Sequence, residues 1–156
     1  MPPITRLLIS TDVGDVTADV RRLFEELARQ RPERRQAIVG ECLPLLDVFE
    51  TQDALDLVLD VPGVPPANIR VLVKGGVVLV AGEKDRPELR GHGPASYHLV
   101  ERDFGRFVRA VRVHAAVDPA KATATLREGE LRIVLPKIAE RRGKGIVVPI
   151  ATEPPA

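Results

Sequence analysis

Aromatic side chains are scarce: the 156 residues include no Trp, one Tyr and four Phe. A core made from this chain is therefore aliphatic, and the 44% hydrophobic content supplies enough Val, Leu, Ile and Ala to pack one. Cysteine is scarcer still. Cys42 stands alone and cannot close an intramolecular disulfide, and one Cys with three scattered His is too few ligands for a conventional structural zinc site. Neither sign of charge is in excess, because 23 Lys+Arg against 22 Asp+Glu leave a net charge of +1, which argues against a dedicated nucleic-acid or membrane-surface binder. No stretch reaches the roughly 18–20 apolar residues that span a bilayer, and the opening M-P-P-I-T-R-L-L-I-S-T-D is too short in apolar residues for a signal peptide. The expectation is a soluble, cytoplasmic protein. A mass of 17.0 kDa leaves room for one domain of roughly 100–150 residues with a modest appendage.

Catalytic groupings are missing too. His92 lies in a Gly-rich loop, His98 at a strand edge and His114 at a strand end, and none is placed beside Cys42 or a nucleophilic Ser. The glycines of K-G-G-V fit neither phosphate-binding pattern, so no nucleotide is implied. Asp56 and Asp60 read as neighbours on the solvated face of a strand, with nothing apolar nearby to raise either pKa. The chain is expected to be no enzyme and to use no catalytic residue, metal or cofactor.

What is present falls into three parts: an arm over 1–43, a succession of short β-type segments over 44–137, and a tail over 138–156. In the arm, Val16, Val20, Leu23, Phe24 and Leu27 fall on one stripe of a helix that Asp12 or Asp15 caps and Pro32 ends. The stripe needs a partner, either its own domain or other subunits and clients. In the middle part, Leu55, Leu57, Leu59 and Val61 alternate with polar or smaller neighbours, as do Ile69, Val71 and Val73. Val77 to Ala81 is apolar on both faces and reads as a central strand, entered through a Gly75-Gly76 hairpin turn. Further strands are expected at Leu99 to Asp103, Phe107 to Val113, Ala122 to Leu126 and Leu131 to Leu135, the last two joined at Glu128-Gly129. Pro62-Gly63 and Pro65-Pro66 force a change of sheet or direction. About seven strands with short turns predict an all-β, immunoglobulin-like antiparallel β-sandwich with a partly helical N-terminal arm and an extended C-terminal tail. The polar stretch between Glu83 and Tyr97 is too long for a turn, and such loops usually have a function.

Several motifs occur in order. P-L-L-D-V-F-E-T-Q-D-A-L-D-L-V-L-D-V-P-G-V (Pro44 to Val64), V-L-V-A-G-E-K, Y-H-L-V-E-R-D-F-G-R-F-V-R and A-T-L-R-E-G-E-L-R-I-V-L-P-K follow one another at family spacing. Together they resemble the α-crystallin domain of bacterial small heat-shock proteins. Two turns depart from that pattern: Val113-His114-Ala115 replaces a usual Leu-Pro, and Glu128 replaces a frequent Asn. In the tail, Ile146, Val148 and Ile150 point to one side of an extended chain, which resembles the family's I-x-I anchor. The resemblance implies a groove for that anchor between the strands at Ile69–Lys74 and 106–113, lined by Val71, Val73, Phe107 and Val111. It also implies a homodimer formed by the 84–97 loop and growing into a larger homo-oligomer, with Tyr97, Glu101, Arg102 and Arg112 in dimer or structural roles.

The implied function is an ATP-independent holdase chaperone for partially unfolded client proteins under stress, with the arm stripe (Val16, Val20, Leu23, Phe24, Leu27) binding clients or subunits. No specific nucleic acid and no membrane span are expected. Two alternatives use the same sandwich: a CS-domain-like co-chaperone or adaptor, and a gas-vesicle- or spore-associated structural protein.

Overall fold

The computed structural model describes residues 15–31, 41–91, 93–138 and 148–149. Among the described residues one α-helix, α1 (Thr17–Arg29), precedes seven strands: β1 (Leu46–Glu50), β2 (Ala54–Asp60), β3 (Ile69–Lys74), β4 (Val77–Lys84), β5 (Gly105–Arg112), β6 (Thr123–Arg127) and β7 (Glu130–Pro136). They form two antiparallel sheets, ordered β1-β2-β7-β6 and β3-β4-β5. The period of two decides the packing. Leu55, Leu57 and Leu59 of β2 and Leu131, Ile133 and Leu135 of β7 turn inward to meet Val78 and Val80 of β4 and Phe107 and Val111 of β5 in one aliphatic core.

The punctuation falls where the backbone needs it. Gly75 and Gly76 take φ of +58° and +73° between the paired ends Lys74 and Val77, a two-residue turn whose twist suits an antiparallel hairpin. After β2 the chain leaves the four-stranded sheet at Pro62-Gly63 and enters the three-stranded one at β3. That corner is pinned by the Val61 N–H, which donates to the Gly129 carbonyl at 2.6 Å.

β4 is apolar on both faces because both are covered. Inside lies the sandwich core; outside, Val77, Leu79 and Ala81 lie under Val20, Leu23 and Phe24 of α1 and Val16 just before it. The arm stripe therefore packs on its own domain, one of its two expected partners. The cap position falls to Val16 and not to an aspartate, and no side chain caps the helix there; Asp15, just before it, accepts a hydrogen bond from the Thr17 N–H at 3.0 Å, which holds its carboxyl below the usual value, while Asp12, Pro32 and His92 lie outside the described residues. The help that this bond gives α1 is present above the ordinary carboxylate pKa and is lost as pH falls through the lower folded value.

Two expectations fail. Leu99 to Asp103 forms no strand, and Leu99 and Val100 stand exposed, because the segment pairs with no strand among the described residues. Asp56 is not solvated. It is buried beneath Arg132, whose Nε and Nη2 donate to its Oδ1 at 2.8 and 2.7 Å, while the Arg132 guanidinium lies 5.8 Å from the Phe49 ring centroid. Sequence alternation places Asp56 on the outer face correctly but does not reveal that a residue 76 positions later covers it.

Gly82, paired with Phe107, carries the aromatic ring directly over its Cα: a Cβ built there would meet the ring's Cζ at 2.2 Å. Gly82→Ala is expected to cost about 1–3 kcal/mol in urea unfolding through overpacking. Glu128, the one described non-glycine residue with positive φ (+52°), should respond in the other direction. Glu128→Asn is expected to raise stability by about 1 kcal/mol in the same experiment, since Asn tolerates the left-handed region.

Candidate functional site: the two margins of the sandwich

A sandwich of three strands over four has two open margins, and these are where its unused apolar surface collects. At one, β5 lies over the segment leading into β1. Glu41 bridges Arg106, the Cys42 N–H donates to the Arg106 carbonyl at 3.2 Å, and Arg109 reaches across to donate from Nη1 to the Pro44 carbonyl at 2.5 Å. Burial lowers the Arg109 pKa and pushes the Cys42 thiol up, so Cys42, whose Sγ is 3.6 Å from the Gly105 carbonyl, is a packed side chain and not a thiolate. Beyond this clasp Leu43, Leu45 and Phe49 stand exposed, and β1 pairs only on its β2 side among the described residues. The segment between β4 and β5 adds exposed Leu89, Tyr97, Leu99 and Val100.

The other margin lies between β3 and β6, the remaining edge strands. Val71, Val73, Ala115, Val117, Ala122 and Leu126 are only partly buried there against the core. A depression of about 290 Å³ opens between the β3–β4 turn and the segment ahead of β6, lined by Val73, Gly76, Val113, Ala115, Val117 and Pro119 among others.

The expected groove needs correction. β4 lies between β3 and β5, so Val71 and Val73 stand at the opposite sheet edge from Phe107 and Val111, and the four cannot line one channel between those strands. Phe107 and Val111 are core residues, 2% and 8% exposed. Val71 and Val73 do border an apolar margin, with β6 and its approach as the other wall. Ile146 and Ile150 lie outside the described residues, while Val148 is 77% exposed.

Arg112 and the pair Glu101 and Arg102 do not meet within the chain. Arg112 closes the eight-residue β5, whereas Glu101 and Arg102 lie in the irregular segment that precedes its other end. Arg102 instead stacks 5.0 Å from the Phe104 ring centroid, and both Tyr97 and Glu101 are exposed. The arginine that sequence reading passed over is Arg109. The signal for it was available, because Phe107, Arg109 and Val111 alternate onto one face, which makes Arg109 an inward-facing cation in need of an acceptor.

Among the described residues no cluster of His, Cys, Asp and Glu could hold a metal ion, and no helix is long and apolar enough to cross a membrane. The arrangement offers edges and apolar seams for binding other chains. A model of the Hsp20/alpha crystallin family matches residues 47–151. The chain belongs to this family. Heat shock protein 16 of Schizosaccharomyces pombe is 27% identical over 80% of this chain and 87% of its own length. Spore protein SP21 of Stigmatella aurantiaca is 34% identical over 68% of this chain and 62% of its own. Among solved structures, a small heat-shock protein from Xylella fastidiosa, described as having a distinct high order structure, aligns with a TM-score of 0.56 at 28% identity, over 71% of this chain and all of that one. The Hsp20 family consists of small heat-shock chaperones and not of enzymes.

Arg109→Ala is expected to lower stability by about 1–2 kcal/mol in urea, the worth of a charge-assisted hydrogen bond at a partly exposed site. Amide exchange should then accelerate at Cys42, whose N–H depends on the same clasp, before it does in β2 or β7.

Proposed function

We propose that the chain is an ATP-independent holdase that captures partially unfolded proteins and works as a homodimer assembled into a larger, exchanging homo-oligomer. The three-part division into arm, domain and tail belongs to this reading. The observation that carries it is the placement of exposed apolar residues: Leu89, Tyr97, Leu99 and Val100 on the β4–β5 connection, and Leu45 and Phe49 beside an edge strand with one unpaired side. A connection with strand-like apolar spacing and no strand partner among the described residues complements an unpaired edge in a second copy. That favours the swapped dimer, with Tyr97, Glu101 and Arg102 carried to the partner.

Larger assembly then rests on the tail. Ile146, Val148 and Ile150 of one subunit enter the β3/β6 margin of a neighbour, against Val71, Val73, Val113 and Val117. Each buried anchor contributes on the order of 1.5–3 kcal/mol before ordering costs, so a single tail binds weakly and many together bind by avidity. Contacts that open one at a time release apolar surface to clients, which themselves expose apolar segments and strand edges.

The similarity to spore protein SP21 favours one other reading, a fixed structural assembly on the same domain. Subunit exchange separates the two. With Ile146→Ala/Val148→Ala/Ile150→Ala, light scattering after size exclusion is expected to show dimers where the intact chain forms a multi-subunit species, and the intact chain should suppress aggregation of a heated client without nucleotide. An intact chain that stays monomeric and leaves the client to aggregate overturns the holdase reading; an assembly that neither exchanges subunits nor protects clients supports the structural one.

A further inference from the structure

The outer face of the three-stranded sheet is an apolar surface with its own resident occupant. Val77, Leu79 and Ala81 of β4 form its centre, Leu72 of β3 and Val108 and Ala110 of β5 its flanks. This cluster shares no residue with the sandwich core. Departure of α1 therefore leaves the interior closed and bares only this face. With 13 residues, α1 is about as long as the shortest helices that persist alone in water, so docking holds it.

The face also has polarity. At the start of α1, the Lys74 Nζ lies 3.0 and 3.2 Å from the Asp19 carboxylate oxygens, in an exposed and salt-screened contact. Just past its end, Arg31 donates to both oxygens of Asp85 at 3.3 and 2.7 Å in a pair whose side chains are only 17% and 20% exposed, and Asn68 Nδ2 steadies Asp85 at 3.1 Å. Between those ends, the Arg106 guanidinium lies 4.9 Å from the Phe24 ring centroid. The face thus presents a cation, an apolar floor and a carboxylate in line. Its complement is an amphipathic helix, acidic in its first turn and basic after its last. That is the charge order the helix dipole favours, so it is common to helices in general.

We propose that this face is a docking site for amphipathic helices of unfolding client proteins, with α1 as a built-in competitor released when the Arg31–Asp85 clasp opens. The proposal rests on the holdase reading and adds to it a second surface and a class of partner. Because α1 is tethered, it competes at an effective concentration in the millimolar range for short links, so weakening the clasp tightens apparent client binding by up to the same factor.

The probe is a fluorescein-labelled peptide with the sequence of residues 15–31, compared with a scrambled version by anisotropy, alongside hydrogen exchange of the α1 amides and client aggregation. All are measured on the full chain. Arg31→Gln is expected to speed α1 exchange about ten-fold and tighten peptide binding about ten-fold, with Arg31→Lys retaining much of the intact behaviour. Leu79→Lys, or Val108→Glu at the flank should the first fail to fold, is expected to free α1 equally while binding the peptide no better than the scrambled one. Unchanged exchange in Arg31→Gln overturns the clasp. Peptide binding by Leu79→Lys as tight as by Arg31→Gln assigns capture to the freed helix and overturns the face. If the intact chain protects clients while no variant gains peptide affinity, this proposal falls and the holdase reading stands; peptide binding without protection of clients overturns the holdase reading instead.

Discussion

Everything in this molecule is arranged around a strand with two apolar faces. β4 cannot leave either face in water: Val78 and Val80 demand a second sheet, and Val77, Leu79 and Ala81 demand a further layer. The first demand closes the sandwich. The second makes the arm helix part of the folded unit, since no other described element lies over that side of the sheet. Burying three such side chains gains several kcal/mol on the scale of about 25 cal/mol per Å² of apolar area, and a single amphipathic helix can provide the cover. The helix is thereby tied to the domain without being part of its core.

The same strand count explains why binding surface collects at the margins. Three strands over four cannot cover all edges, and an edge strand presents unpaired N–H and C=O groups that natural proteins charge, cover or use. At the β5/β1 margin the chain covers part of the edge with its own Glu41–Pro44 segment, pinned by Arg109. Past that segment the cover stops, and Leu45 and Phe49 are left outside. At the β3/β6 margin Lys121 and Arg127 stand exposed at the β6 side while Val71, Val73 and Val117 keep the floor apolar. A charged rim with an apolar floor discourages indiscriminate edge pairing yet admits a short extended segment.

Much of this was legible in the sequence, and the failures share a cause. Alternation located β2, β3 and β7, the Gly-Gly turn placed β3 beside β4, and two-faced apolarity marked β4 as central. These are local signals. Which strand lies beyond β4 is not local: the resemblance implied a groove between β3 and β5, and that is the place β4 in fact fills. Asp56 looked solvated because its cover, Arg132, arrives from the far end of the chain. Leu99 to Asp103 has the spacing of a strand, but a pattern cannot show whether an edge is available to pair with. The arm stripe was legible as a stripe, while its partner surface required the sheet to be assembled first.

On the proposed holdase reading, a chain built this way works through reversible burial. The contacts that hold the outer layer are worth little one by one: surface ion pairs such as Asp19–Lys74 contribute at most about 1 kcal/mol, and a 13-residue helix opens more readily than a packed sheet. The sandwich beneath does not share that weakness, because its core from Leu57 to Leu135 has no residue in common with the layer under α1. Stress that raises the population of opened seams therefore exposes apolar surface before it threatens the domain. The separation of a firm core from a loosely held apolar layer lets that layer open while the domain beneath it stays folded.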